Sequence, residues 1–148
     1  LEDDAMVNFR MSSGIVGRLW TSSVAIGRQH GFDIQVFGEK GGLKWISEQP
    51  NQLLYSKIGN RTEIIEKGEN NLHDDASRLS RVAIAHPEGF PLAVANIYVD
   101  IAATINGDVR ANLPTAADGL RSMAAVYAAT ESARKTGKWV DARPPMFR

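Results

Sequence analysis

The sequence predicts an α+β fold, an open, mostly antiparallel sheet with helices packed on one face. Two observations carry this. Up to Glu66 the chain is a series of short alternating stretches separated by Gly- and Asn-containing links, and from Leu92 onward it turns to helical spacing. Strands that come first and helices that follow are the order of an α+β layer rather than of a parallel α/β sheet.

Asp4 to Met11 alternates, with Ala5, Val7, Phe9 and Met11 on one face and Met6, Asn8 and Arg10 on the other. Ser12-Ser13-Gly14 is a turn, and Ile15 to Ala25 resumes the alternation, completing a hairpin. Gly27-Arg28-Gln29-His30-Gly31 is a glycine-bounded connection. Asp33 to Phe37 and Leu43 to Ser47 form a second hairpin across Gly38-Glu39-Lys40-Gly41-Gly42. Gln52 to Ile58 and Thr62 to Glu66 form a third across Gly59-Asn60. Lys67 to Ser80 is polar and reads as loop with one short helical turn.

Pro87, Gly89 and Pro91 oppose helix up to the point where Pro91 suits a first turn. Val94, Ile97, Tyr98, Ile101 and Ile105 then follow helical spacing, with Asn96, Asp100 and Thr104 as a polar stripe. A helix apolar around most of its circumference is expected to be buried. Pro114 and Thr115 open a second long helix, with Asp118 in the capping-box position; Arg134, Lys135 and Lys138 gather at its end and Gly137 is the expected C′ residue. Trp139-Val140 suggests a last short strand or a docking contact, and the tail from Arg143 is expected to be extended.

The chain has 148 residues, 43% hydrophobic and 23% charged, the composition of one globular domain. Lys+Arg and Asp+Glu both number 17, so the basic footprint that nucleic acid or an anionic membrane surface demands is missing. With no cysteine, disulfides and thiolate chemistry are excluded, and a cytoplasmic setting is expected. No apolar run approaches the ~20 residues of a bilayer span, and no signal peptide is visible. The chain begins with Leu1, which suggests a piece of something longer.

Neither a G-x-G-x-x-G nor a P-loop occurs, so this chain has no dinucleotide site of its own, and no metal site is assigned to it either. His86 and Glu88 stand on a Pro/Gly-punctuated turn leading into a helix, the mounting a binding site needs; the alternative is an acid complementing a helix dipole. His30 beside Arg28 either binds a polar ligand or faces water. His73-Asp74-Asp75 reads as a metal cluster or, more simply, a solvated loop; with His86 it would make a metal hydrolase. On the strand face opposite the helices lie Arg18, Trp20, Phe37 and Ile46 among long polar residues, a mixture that subunit interfaces favour.

Gly27-Arg28 with Gly31-Phe32, Phe37-Gly38-Glu39-Lys40-Gly41-Gly42-Leu43-Lys44-Trp45, and Glu48-Gln49-Pro50-Asn51-Gln52-Leu53 form an ordered series of short motifs. His86-Pro87-Glu88-Gly89-Phe90 through Ala95-Asn96-Ile97-Tyr98, Pro114 with Asp118-Gly119-Leu120-Arg121, and Gly137-Lys138-Trp139-Val140 complete it. Together they resemble the C-terminal domain of the glucose-fructose oxidoreductase / inositol dehydrogenase / MocA family. The resemblance implies a preceding Rossmann domain outside this chain, and a sheet face that makes a homodimer or homotetramer. It implies NAD or NADP in the complete protein, none bound by this chain alone, and a sugar, cyclitol or related polyol as substrate. The family's cofactor motif, its E-K-P lysine and its Asp/His pair have no counterpart here, so no catalytic residue is expected in this chain, which alone should be inactive. Glu39-Lys40-Gly41 lacks the proline and sits in a hairpin. Carried over to the substrate side are His86, in what resembles a G-H-P-E-G segment, with Glu88 as its neighbour, and Arg28, in what resembles a G-R-x-N turn. Ala85 stands in place of the family's glycine and His30 in place of its asparagine. The alternative is a free-standing, non-catalytic ligand-binding or assembly domain.

Overall fold

A computed structural model describes residues 3–108 and 113–144. The elements are β1 (Asp4–Arg10), β2 (Val16–Ser22), β3 (Asp33–Gly38), β4 (Gly41–Ile46), β5 (Gln52–Lys57), β6 (Thr62–Glu66), α1 (Asp74–Leu79), α2 (Phe90–Ile105) and α3 (Ala116–Arg134). The class is α+β with antiparallel pairing throughout, and all three expected hairpins form, their ends within a few residues of expectation. The strands divide into two ladders, β1-β2 and β3-β4-β5-β6. These belong to two compact units, residues 3–26 with 113–144 and residues 27–108.

In the first unit, β1 and β2 pair in the register Met6↔Trp20, Val7↔Leu19, Asn8↔Arg18 and Phe9↔Gly17. The Phe9 ring lies directly over Gly17, where an added Cβ would stand 2.1 Å from Cζ, so the bare glycine backbone is covered by its cross-strand partner. α3 starts on the predicted capping box: the Asp118 N–H donates to Thr115 Oγ1 at 3.3 Å, and the Thr115 N–H to Asp118 Oδ2 at 2.9 Å. Its other end corrects the sequence expectation by one residue. The Gly137 N–H donates to the Ser132 carbonyl at 2.8 Å and the Thr136 N–H to that of Ala133 at 3.1 Å. That is the Schellman pattern, with Gly137 at C″ and Thr136, at φ 59°, taking the left-handed C′ position. Trp139 forms no strand; its ring lies under the Arg10 guanidinium, 5.7 Å from the centroid, a contact of the kind cations make with aromatic faces.

In the second unit the four-strand meander brings the start of β3, the end of β4, the start of β5 and the end of β6 to one end, as Asp33↔Ile46, Trp45↔Leu53 and Gln52↔Glu66 pair. The Phe32 and Trp45 rings meet edge to face at 5.8 Å, and the Trp45 indole N–H donates to the Pro50 carbonyl, tying that end together. The polar stripe of α2 finds its partners here. The Asn96 amide donates to the Leu79 carbonyl at 3.0 Å and accepts from Arg81, while the Arg78 guanidinium reaches Asp100 at 2.7 Å. The α1 segment is thereby strapped along that stripe. Arg78 is held in its charged form chiefly by this hydrogen bond to Asp100.

The expectation of a buried α2 is overturned. Ile97 is 53% exposed, Tyr98 68% and Ile105 80%, while the one buried residue of the helix is Asp100. Apolar composition states that a helix needs cover, not that its own unit supplies it; here Asp100 is buried, Leu92, Val94, Asn96 and Ala103 are half-buried, and the rest of the helix is exposed.

Candidate functional site

The end of the ladder where β3 begins collects the residues expected to bind substrate. Gly27 (φ 93°) and Gly31 (φ 66°) bracket Arg28 and His30, and both adopt the left-handed conformation that glycine accepts without a Cβ penalty. The Gly31 N–H donates to Glu48 Oε1 at 2.6 Å, and the Ser47 hydroxyl to Oε2 at 3.1 Å. The Glu48 carboxyl is held below its ordinary range, first by that Gly31 N–H and then by its own backbone N–H, with smaller help from Ser47 and the nearby His30. The Arg28 side chain folds over Gly31, and Arg28 and His30 are both exposed.

The same β4–β5 turn, three residues on, grips the second loop. The Asn51 side chain donates to the Glu88 carbonyl and accepts from the Glu88 N–H, both at 3.0 Å, a two-point clamp across 37 residues. The Asn51 carbonyl accepts from the Lys67 N–H at 2.9 Å. From there the Lys67 ammonium reaches the Val82 carbonyl (2.8 Å), the Ala83 carbonyl (3.2 Å) and Glu88 Oε1 (2.6 Å). Glu88 Oε1 also accepts the N–H groups of Arg81 (2.8 Å) and Val82 (2.9 Å). Burial pushes the Glu88 carboxyl up, but the Lys67 ammonium and these two N–H donors outweigh it and leave it below the ordinary glutamate range.

His86 is exposed at the tip of this loop. Its N–H closes a turn onto the Ala83 carbonyl at 3.1 Å, and Ala85, at the third position of that turn, has φ 67°. Turns of that hand take glycine there, because an L side chain in the left-handed region costs about 1–2 kcal/mol. The His86 Nδ1 is 3.2 Å from the Ile84 carbonyl. A carbonyl only accepts, so Nδ1 carries the proton, and in the neutral ring Nε2 is left as an acceptor. The imidazole is therefore oriented by Ile84, while the Glu88 carboxylate is turned inward.

Arg28, His30, His86 and Glu88 thus lie on two loops held by one turn, Ser47 to Asn51. Glu48, Asn51 and Lys67 hold these loops and are not singled out by the sequence, although Glu48 and Asn51 lie inside a quoted motif. A hollow of about 310 Å³ lined by Gly68, Glu69, Asn70, Asn71 and Ile84 adjoins the His86 loop. The larger hollow, about 480 Å³, is at the opposite end of the ladder between Val36, Leu43, Tyr55 and the hairpin glycines, away from all four residues. Those glycines close a strand-to-strand turn with no helix following, so they offer no pyrophosphate cradle. His73 caps α1 by accepting from the Asp75 N–H at 3.3 Å, and among the described residues no three acidic or imidazole groups converge.

The residues expected at subunit contacts lie on one face within each ladder. Trp20 (48% exposed) pairs with Met6 and Arg18 with Asn8, and the Trp20 indole donates to Asp4 at 2.8 Å. Phe37, 80% exposed, shares its face with Gln35, Lys44 and the half-buried Ile46.

The described residues thus form antiparallel α+β units, with the loops that carry Arg28, His30 and His86 held at one end of the four-stranded ladder. Residues 1–141 match the oxidoreductase family, C-terminal alpha/beta domain, and the chain belongs to that family, as the sequence resemblance implied. It is 34% identical over 110 residues to the oxidoreductase YfiI of Bacillus subtilis, covering 74% of this chain and 28% of that protein. An oxidoreductase of Pseudomonas syringae superposes with a TM-score of 0.90 at 32% identity, over 96% of this chain and 41% of that one. An inositol dehydrogenase homologue of Azotobacter vinelandii, solved with NADH and myo-inositol, superposes at 0.88 with 32% identity, over 95% of this chain and 39% of that one. The chain spans well under half the length of these relatives. No helix among the described residues is long and apolar enough to cross a membrane.

Proposed function

We propose that this chain is the substrate-side and subunit-contact domain of a cytoplasmic NAD- or NADP-dependent oxidoreductase acting on a cyclitol, sugar or related polyol. In this proposal a dinucleotide-binding domain outside the chain holds the cofactor, which supplies the hydride chemistry, and also carries the acid and base. This chain alone then binds no cofactor and turns nothing over. Its own contribution is recognition. The neutral His86 ring accepts a hydrogen bond from a substrate hydroxyl at Nε2, the protonated ring donates one there, and Arg28 and His30 approach from the neighbouring loop. Glu88 contributes from behind, through the loop it anchors. The homodimer or homotetramer forms through the strand faces bearing Arg18 and Trp20 and bearing Phe37 and Ile46.

The observation that carries this is the Ser47–Asn51 turn, which holds both candidate loops at one end of the sheet. The Azotobacter vinelandii homologue, crystallised with NADH and myo-inositol, supports the substrate class. The test is His86→Ala in the full-length enzyme. KM for the polyol should rise by an amount worth about 1 kcal/mol for a neutral histidine, or about 1.5–3 for a charged one, with kcat and cofactor affinity unchanged. Loss of turnover at saturating substrate would make His86 an acid/base, and wild-type kinetics would reduce it to a residue preceding a helix.

A further inference from the structure

We infer that Lys67 is a positioning residue: with Asn51 and Glu88 it forms a latch that holds the Ala83–His86 turn in a strained conformation and so presents the His86 ring. This rests on the proposed role of His86 as a substrate contact. Three observations converge on it. Lys67 is at 14% side-chain exposure and Glu88 at 11%, so both charges are largely withdrawn from water and hold one another. The ammonium has three acceptors, two of them carbonyls of the loop itself, and Glu88 Oε1 takes three donors, two of them N–H groups of the same loop. Between these anchors the backbone passes through Ala85 at φ 67°, a conformation alanine leaves when released.

The geometry explains why the anchors are needed. A glycine at position 85 would keep the left-handed turn with no steric cost, and the loop would then hold its shape with fewer constraints. With alanine the turn persists only if its surroundings over-determine it. Lys67 fixes the carbonyl side of the turn at Val82 and Ala83, and Asn51 fixes the chain at Glu88, just beyond His86. The Lys67 backbone is itself bonded to Asn51, and Gly68, at φ 80°, leaves room for the Ile84 backbone, which would stand 3.4 Å from an added Cβ. The latch is therefore one connected unit running from the β4–β5 turn to the His86 ring.

The test uses the full-length enzyme and three variants: Lys67→Met, Ala85→Gly and the two together. Lys67→Met should raise KM for the polyol roughly tenfold with kcat retained, and should speed amide exchange in the peptide spanning residues 82–89 by a similar factor. Adding Ala85→Gly should return both toward wild type, because glycine holds the turn unaided. A residue that merely supported the fold would instead lower the active fraction, seen in kcat, and Ala85→Gly would not restore KM. Should Lys67→Met fail to fold, Lys67→Met/Glu88→Gln removes both charges and carries the same expectations. Unchanged exchange, or faster exchange with unchanged KM while His86→Ala does raise KM, overturns the latch. If His86→Ala leaves KM unaffected, the substrate reading falls and the latch is judged on exchange alone: acceleration that Ala85→Gly reverses supports it, and no acceleration overturns it.

Discussion

Asn51 gives the sharpest test of how the candidate site is built. Its side chain makes two hydrogen bonds to one residue, donating to the Glu88 carbonyl and accepting from the Glu88 N–H, each at 3.0 Å in a part-buried setting. Each bond is worth about 0.5–1.5 kcal/mol net, so Asn51→Ala should cost about 1–3 kcal/mol, the upper part if both Glu88 backbone groups are left without partners. Asn51→Asp separates the two bonds. The carboxylate keeps the acceptor facing the Glu88 N–H but sets a negative oxygen against the Glu88 carbonyl, where the amide had donated. At neutral pH the aspartate should therefore be no better than alanine, and it should recover as the carboxyl protonates and regains a donor. The assay is urea unfolding followed by tryptophan emission, since the Trp45 indole is bonded to Pro50, beside the mutated residue. If both variants stay within about 0.5 kcal/mol of wild type, the two bonds are not holding the loop and the site model is wrong.

Two further outcomes are expected. The Glu88 carboxyl lies below its ordinary value of 4.5, so its contribution is present in full above that pH and is lost as pH falls through the depressed folded value. Protection of the amides in the 82–89 segment, the ratio of intrinsic to observed exchange rate, should fall on acidification over that window, and Glu88→Gln should leave it low and pH-independent; a wild-type protection factor that stays flat would refute the assignment. Trp20→Glu should shift the full-length protein toward monomer in sedimentation, because it sets an unpaired charge in a contact that must desolvate. A wild type that is already monomeric, or an unchanged sedimentation coefficient, removes that interface.

What the sequence made legible was whatever a few neighbouring residues decide. Period-two alternation and Gly/Asn links placed the hairpins, and Thr115 with Asp118 placed the start of α3, because those signals act over two to four residues. The end of α3 was missed by one position because Thr136 takes the left-handed conformation that glycine takes at far lower cost, and propensity alone assigns such a site to Gly137. The cover of α2 was illegible for a different reason, since burial is a property of the partner as much as of the helix.

The site divides in the same way. Arg28, His30 and His86 stand out in the sequence because turns and unusual neighbours surround them. Glu48, Asn51 and Lys67 do not, because each acts on residues 15–37 positions away or across the Gly27–Gly31 loop. Glu88 was legible as a charge beside a histidine, but its direction was not, and the distant Lys67 decides it. Ala85 joins the two kinds of information. As a departure from the family's glycine it was visible in one dimension, yet only its φ of 67° gives the departure a consequence. A turn that glycine would hold by itself must here be held from outside, and two of the three residues of the proposed latch, Lys67 and Asn51, are ones the sequence could not single out.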